Sequence, residues 1–214
     1  AKQLKIPGLR LGANVKIIRR KVGDFAGAWG FGLDAGAQYD YKKWKFAAMA
    51  RDVTSTFNAW SFNLSEETKQ VFLATGNEIP ENSVEITLPK LLLGAARKFD
   101  FNEKVSLLAE LDVDATFDGK RNVLIKNKAI SLDPHLGLEA SYMNMIFLRA
   151  GIGNYQTYTD AVGKKIKTFQ PNIGVGVKIK SVYIDYALTD IGDQSVALYS
   201  NVFSIKVDIN KKVK

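Results

Sequence analysis

The last three apolar segments of this chain keep a strict period of two. In residues 171–180, Ile173, Val175, Val177 and Ile179 alternate with Gly174, Gly176, Lys178 and Lys180. In 182–189, Val182, Ile184, Tyr186 and Leu188 alternate with Tyr183, Asp185, Ala187 and Thr189. In 202–209, Phe203, Ile205, Val207 and Ile209 alternate with Ser204, Lys206 and Asp208. Two is the side-chain repeat of a β-strand; a helix would distribute the same residues around its circumference. The pattern recurs in about ten segments, most of them near the roughly nine to eleven residues with which a tilted strand crosses a bilayer.

The expected strands are 9–20, 26–41, 44–54, 87–99, 104–116, 134–143, 145–154, 169–180, 182–190 and 198–209. The second puts Trp29, Phe31, Leu33, Ala35, Ala37, Tyr39 and Tyr41 on one side, and Gly30, Gly32, Asp34, Gly36, Gln38 and Asp40 on the other. Tight turns near 42–43, 100–103, 144 and 180–181 swap with longer links at 21–25, 55–86, 117–133, 155–168 and 191–197. Short and long connections in alternation predict an antiparallel up-and-down transmembrane β-barrel, with the tight turns in the periplasm and the long loops outside. The 214 residues are enough for one all-β domain spanning 1–214. Tyr39, Tyr41, Trp44, Phe46, Phe99, Phe101 and Tyr142 crowd the tight turns, as in an aromatic girdle at a membrane boundary.

A soluble β-barrel or sandwich also alternates, and parity alone does not say which face points inward. Strand length favours the membrane, since ordinary strands run to about five or six residues. So do the charges grouped on one face opposite a face almost purely aliphatic and aromatic. Apolar runs are soon broken by Arg97 and Arg149, so a membrane helix is not expected. The net charge of +8 comes from basic residues scattered over many segments. That reads as a wet lumen and solvated loops rather than a nucleic-acid surface. There is no cysteine, hence no disulfide framework or thiolate site.

The polar parity assigns Arg10, Lys16, Asp34, Glu110, Asp112, Asp114, Arg149, Lys178, Asp185 and Lys206 to the lumen. The Glu110, Asp112 and Asp114 run needs water or lumen cations beside it, and Arg10, Lys16, Arg149, Lys178 and Lys206 are the candidates. Glycines within strands, such as Gly30, Gly32, Gly174 and Gly176, relieve crowding there. His135 is the only histidine. Strand rise sets it about 13 Å from Glu139, with Ser141 roughly 7 Å beyond, too far for a nucleophile–base pair. No catalytic residue, metal site or cofactor is expected, and the chain is read as a non-enzyme.

The longest link, 55–86, has punctuation. Asn63-Leu64-Ser65-Glu66 has the pattern of a capping box with Asn63 as cap, and Gly76 is placed to stop a helix over 64–75. Phe57, Trp60, Phe62 and Phe72 give this link more aromatic surface than a solvated loop requires. They are expected to be buried in the barrel mouth or against a partner.

Several stretches carry a resemblance. They are Gly8-Leu9-Arg10-Leu11-Gly12-Ala13-Asn14-Val15-Lys16, Ala50-Arg51-Asp52-Val53-Thr54-Ser55-Thr56-Phe57-Asn58-Ala59-Trp60, Leu88-Pro89-Lys90-Leu91-Leu92-Leu93-Gly94, and Asp185-Tyr186-Ala187-Leu188-Thr189-Asp190-Ile191-Gly192 before Phe203-Ser204. In this order they resemble the PorV/PorQ family of Bacteroidota outer-membrane proteins. The resemblance covers nearly all of this chain but about the C-terminal two-thirds of the family, whose Asn-Pro-Ala element is not found here. It implies a fatty-acid-transporter-like barrel of about fourteen strands in the bacterial outer membrane. It also implies a non-enzymatic role in type IX protein secretion or a similar surface-export assembly. The implied partners are outer-membrane lipid and other secretion-system subunits such as the translocon barrel. The alternative, by fold analogy, is an outer-membrane transporter of hydrophobic or small solutes.

Overall fold

Strands that are apolar on one side and polar on the other pair edge to edge, because the pairing keeps each side in one environment. The structure, a computed structural model, describes residues 2–3, 6–160, 162–191 and 199–208. Positions 198 and 209, the expected bounds of the last strand, lie outside the described residues. The elements are β1 (Lys2–Gln3), β2 (Leu9–Val22), β3 (Ala26–Tyr41), β4 (Trp44–Arg51), β5 (Thr56–Phe62), α1 (Glu66–Ala74), β6 (Ser83–Thr87), β7 (Lys90–Asp100), β8 (Val105–Thr116), β9 (Ile125–Lys126), β10 (Ser131–Tyr142), β11 (Ile146–Thr159), β12 (Lys165–Ile179), β13 (Val182–Thr189) and β14 (Ser200–Val207).

Hydrogen bonds join them in the order β1-β2-β3-β4-β7-β8-β10-β11-β12-β13-β14; β5 pairs with β3 and β6, and β9 with β10. This is the expected antiparallel up-and-down sheet, with two corrections. Among the described residues the path is open, from β1 to β14, and not the closed ring of a barrel. Alternation is satisfied by an open sheet as well as by a ring, since closure depends on strand number and stagger. Among the described residues the strands number fourteen instead of ten. The additional ones, β1, β5, β6 and β9, fall outside the expected strands, and β5 and β6 occupy much of the supposed loop 55–86.

The chain divides into two compact units, residues 1–37 with 49–91, and residues 38–48 with 92–214. In the first, β5 follows the same edge of β3 that β4 uses, in register from Ala26↔Phe62 to Phe31↔Phe57. Between β4 and β5 the chain kinks. Asp52 and Ser55 take left-handed backbone with φ of 54° and 57°, and the Val53 amide donates to the Leu33 carbonyl at 2.8 Å, so the ladder to β3 is carried across. β6 pairs with β5 from Thr56↔Thr87 to Trp60↔Ser83; Pro89, with no N–H to give, follows its end.

α1 starts two residues later than expected, and its cap is Ser65, whose Oγ accepts from the Thr68 amide at 3.3 Å. Asn63 stays with the strand ladder, its amide donating to the Phe25 carbonyl at 2.8 Å. Gly76 stops the helix as expected, at φ 71°. The Asn77 amide reaches the Phe72 carbonyl at 2.9 Å, closing a Schellman turn.

In the second unit the registers align apolar residues into rows across six strands. One row runs Leu107, Ala140, Leu148, Val175, Tyr186, Phe203, and the next Val105, Tyr142, Ile146, Val177, Ile184, Ile205. The burial is inverted from that of a water-soluble core. Among the described residues the buried apolar side chains are the alanines Ala26, Ala28, Ala96 and Ala115, while Leu148 is 60% exposed, Val175 48% and Phe203 67%. Several of the buried positions are polar, among them Asp34, Asp52, Thr56, Asn58, Ser106 and Ser141.

Candidate functional site on the polar face

In the first unit a cation is held between two carboxylates. Lys16 Nζ lies 2.7 Å from Asp34 Oδ1 and also pairs with Asp52. The kink turns Asp52 inward, and its own amide donates to Asp34 Oδ1 at 3.0 Å. Thr56 Oγ1 donates to Asp52, and Asn14 Nδ2 lies 3.5 Å from Asp34 Oδ2. The left-handed backbone at Asp52 and Ser55 is what places the second acid here. Gly32 makes the approach feasible, since a Cβ there would overlap Thr56 Oγ1 and crowd Lys16 Cε; one at Gly30 would overlap the Asn58 amide. Asn58 is 1% exposed, and neither its Oδ1 nor its Nδ2 has a partner.

In the second unit Arg149 on β11 bridges β10 to β13. Its Nε donates to Glu139 Oε2 at 2.6 Å and its Nη1 to Asp185 Oδ1 at 2.5 Å. To reach Asp185 the guanidinium passes over β12 at Gly176, where a Cβ would overlap Asp185 Oδ1 and come within 3.0 Å of Arg149 Nη1. Charge-assisted bonds of this length tie three strands together on the polar side. The neighbouring hollow, of about 340 Å³, is lined by Glu110, Glu139, Arg149, Asn172 and Asp185 among others.

The expected pairing of Glu110, Asp112 and Asp114 with lumen lysines and arginines is not what forms around Lys16 and Arg149. Those cations are taken by Asp34 and Asp52, and by Glu139 and Asp185. Asp114 also faces His135, with Oδ2 3.7 Å from Nε2, and Asp133 approaches the same nitrogen at 3.7 Å. Asp112 is opposite His135 in the register and fills the space over Gly94. Ser141 shares a 2.7 Å hydrogen bond with Ser106. Arg10 is opposite Gln3 on β1. Lys178 and Lys206 both lie over the Tyr183 ring, at 4.7 and 5.2 Å from its centroid.

The aromatic residues of the 55–86 stretch do not share one fate. Phe57 is on the apolar side of β5 and 43% exposed, contrary to the expected burial. Trp60 and Phe62 stack at 6.2 Å and are half-buried. Trp60 Nε1 donates to Glu85 Oε2, which also accepts from Arg20, both at 3.1 Å. With Val22, Phe25 and Ala26 they line a hollow of about 410 Å³. Phe72 on α1 is half-buried, while Val71 and Leu73 are exposed. Thr56 and Asn58 are absent from the expected site because they fall in the expected link 55–86, and Asp52, inside the expected strand 44–54, because its left-handed backbone takes it out of the period. The one available signal was the polar parity of Thr56 and Asn58, obscured by aromatics on both sides of β5.

Neither the protein-family models nor the curated proteins compared with the chain give a match.

Proposed function

We propose that this chain is a non-enzymatic outer-membrane β-barrel subunit of a type IX protein secretion or similar surface-export assembly. The observation that carries the membrane part is the inversion of burial. Large apolar side chains form continuous rows that are mostly exposed, while among the described residues the buried positions are alanine, glycine or polar. Soluble monomers rarely expose apolar side chains in continuous rows of this kind. A lipid-facing wall with a wet polar lumen accounts for both faces. The export assignment rests on the ordered segments that resemble the PorV/PorQ family. Exposed Val71 and Leu73 on α1 supply a partner surface on the long-loop side.

The test is recovery of the tagged native protein from cross-linked outer membranes. It is expected to bring down a larger barrel of the export machinery. Replacing residues 64–78 by a glycine–serine linker should leave the chain inserted but reduce that recovery several-fold. Normal secretion and unchanged recovery after the replacement would overturn the partner role. The second reading, a transporter of hydrophobic or small solutes, is favoured by the hollow lined with Phe25, Trp60 and Phe62. A lipid tail retained there through purification would support it.

A further inference from the structure

We propose that Arg97 anchors the phosphate of an anionic phospholipid on the apolar face of the wall, in a seat made by Trp44 and Phe99. The proposal rests on the membrane-barrel reading. Arg97 shares its side of β7 with Leu91, Leu93, Ala95 and Phe99, whereas Gly94 faces Asp112 on the polar side. A guanidinium on that side is out of keeping with its neighbours, and ionisable groups at such places call for a specific partner.

Its partners within the protein are rings. Cζ stands 5.1 Å from the Trp44 ring centroid and 4.9 Å from that of Phe99. The carboxylate nearest in sequence, Asp100, is already held by Lys43 at 3.1 Å and Lys98 at 3.2 Å. Among the described residues no carboxylate pairs with Arg97. Lys42, in the adjoining turn, likewise rests on a ring, 5.3 Å from the Tyr41 centroid, with no carboxylate partner among the described residues.

The position suits a headgroup. Trp44 is the first residue of β4, and the Lys98 amide donates to the Lys43 carbonyl at 2.9 Å, setting Arg97 beside Trp44 near the tight turn. At about 3.3 Å per residue, Arg97 is roughly 10 Å from the end of β7, a distance its side chain shortens by reaching toward water. The tight-turn end is the periplasmic one on this reading, where the leaflet is phospholipid. Two cations there have no carboxylate partner among the described residues, the surrounding rings favour the interface, and a guanidinium fork matches a phosphate in shape and charge.

The test is made on the full chain reconstituted in phosphatidylcholine nanodiscs. Association of spin-labelled phosphatidylglycerol is compared with that of spin-labelled phosphatidylcholine. The wild type is expected to prefer phosphatidylglycerol by about fivefold. Arg97→Gln should lose most of that preference and Arg97→Lys should keep part of it. Lys43→Gln, whose cation is already paired, should leave it unchanged. Equal preference in the wild type and Arg97→Gln overturns the anchor. Insertion is read separately, from the heat-dependent gel mobility of the folded chain. A chain that inserts without lipid preference refutes the anchor alone; one that never inserts refutes the barrel reading and the anchor with it.

Discussion

At the scale of single residues, the Lys16 cluster is costly to disturb. Asp34 and Asp52 have side chains only 8% and 11% exposed, and Lys16 is the cation that separates their charges. Lys16→Met leaves two buried carboxylates facing each other and should destabilise the fold by about 3–5 kcal/mol. Urea unfolding in detergent micelles measures this. Asp52→Asn in the Lys16→Met background should restore part of the loss, a non-additivity expected of groups in one network. Lys16 and Asp34 were legible from parity, as was the need for glycine at 30 and 32. Asp52 was not, because a left-handed residue breaks the period on which parity depends.

At the scale of elements, the long strands were legible and the short ones were not. β3, with sixteen residues, states its period many times over, whereas β6 has five and β9 two. Alternation is a statistical signal and fails at that length. The helix was read from its stop more accurately than from its start, since Gly76 is a backbone requirement and Asn63 only a preference that the ladder overrides. The 117–130 loop has order that no motif announced. Asn122 pairs with both the amide and the carbonyl of Thr157, at 3.1 and 2.8 Å, as a strand residue would.

In the same loop the Arg121 guanidinium grips the Asp118 carboxylate, with Nε 2.8 Å from Oδ1, and holds it below its ordinary titration range. A depressed carboxylate contributes order that is complete above the unfolded aspartate value, about pH 4, and is lost as pH falls through the lower native value. Protection of the amides across 117–130, taken relative to their intrinsic exchange rates, should therefore fall at acid pH. In Arg121→Gln the loop should exchange faster at neutral pH and respond less to acid. An identical acid response in both proteins would rule this out.

At the scale of the whole molecule, the membrane reading proposed above rests on the contrast between the two faces. Val175 belongs to an apolar row, and Lys178 lies over Tyr183 on the polar face. Val175→Arg is expected to hinder membrane assembly by roughly 2–4 kcal/mol if the site is at mid-bilayer, whereas Lys178→Ala should be tolerated. Folded yield in lipid vesicles measures both, and equal tolerance at the two positions would refute the membrane assignment. The up-and-down order was legible because short and long connections alternate. Ring closure was not, because it is a property of strand number and stagger that no single segment carries.

The passage of Arg149 over Gly176 makes three strands heritable as a set. A lineage that gains any side chain at 176 loses the route from Arg149 to Asp185, and the aspartate is then left without its cation. Among relatives, positions 149, 176 and 185 should thus be exchanged together or not at all. Drift at one of them would remain closed until another had already given way.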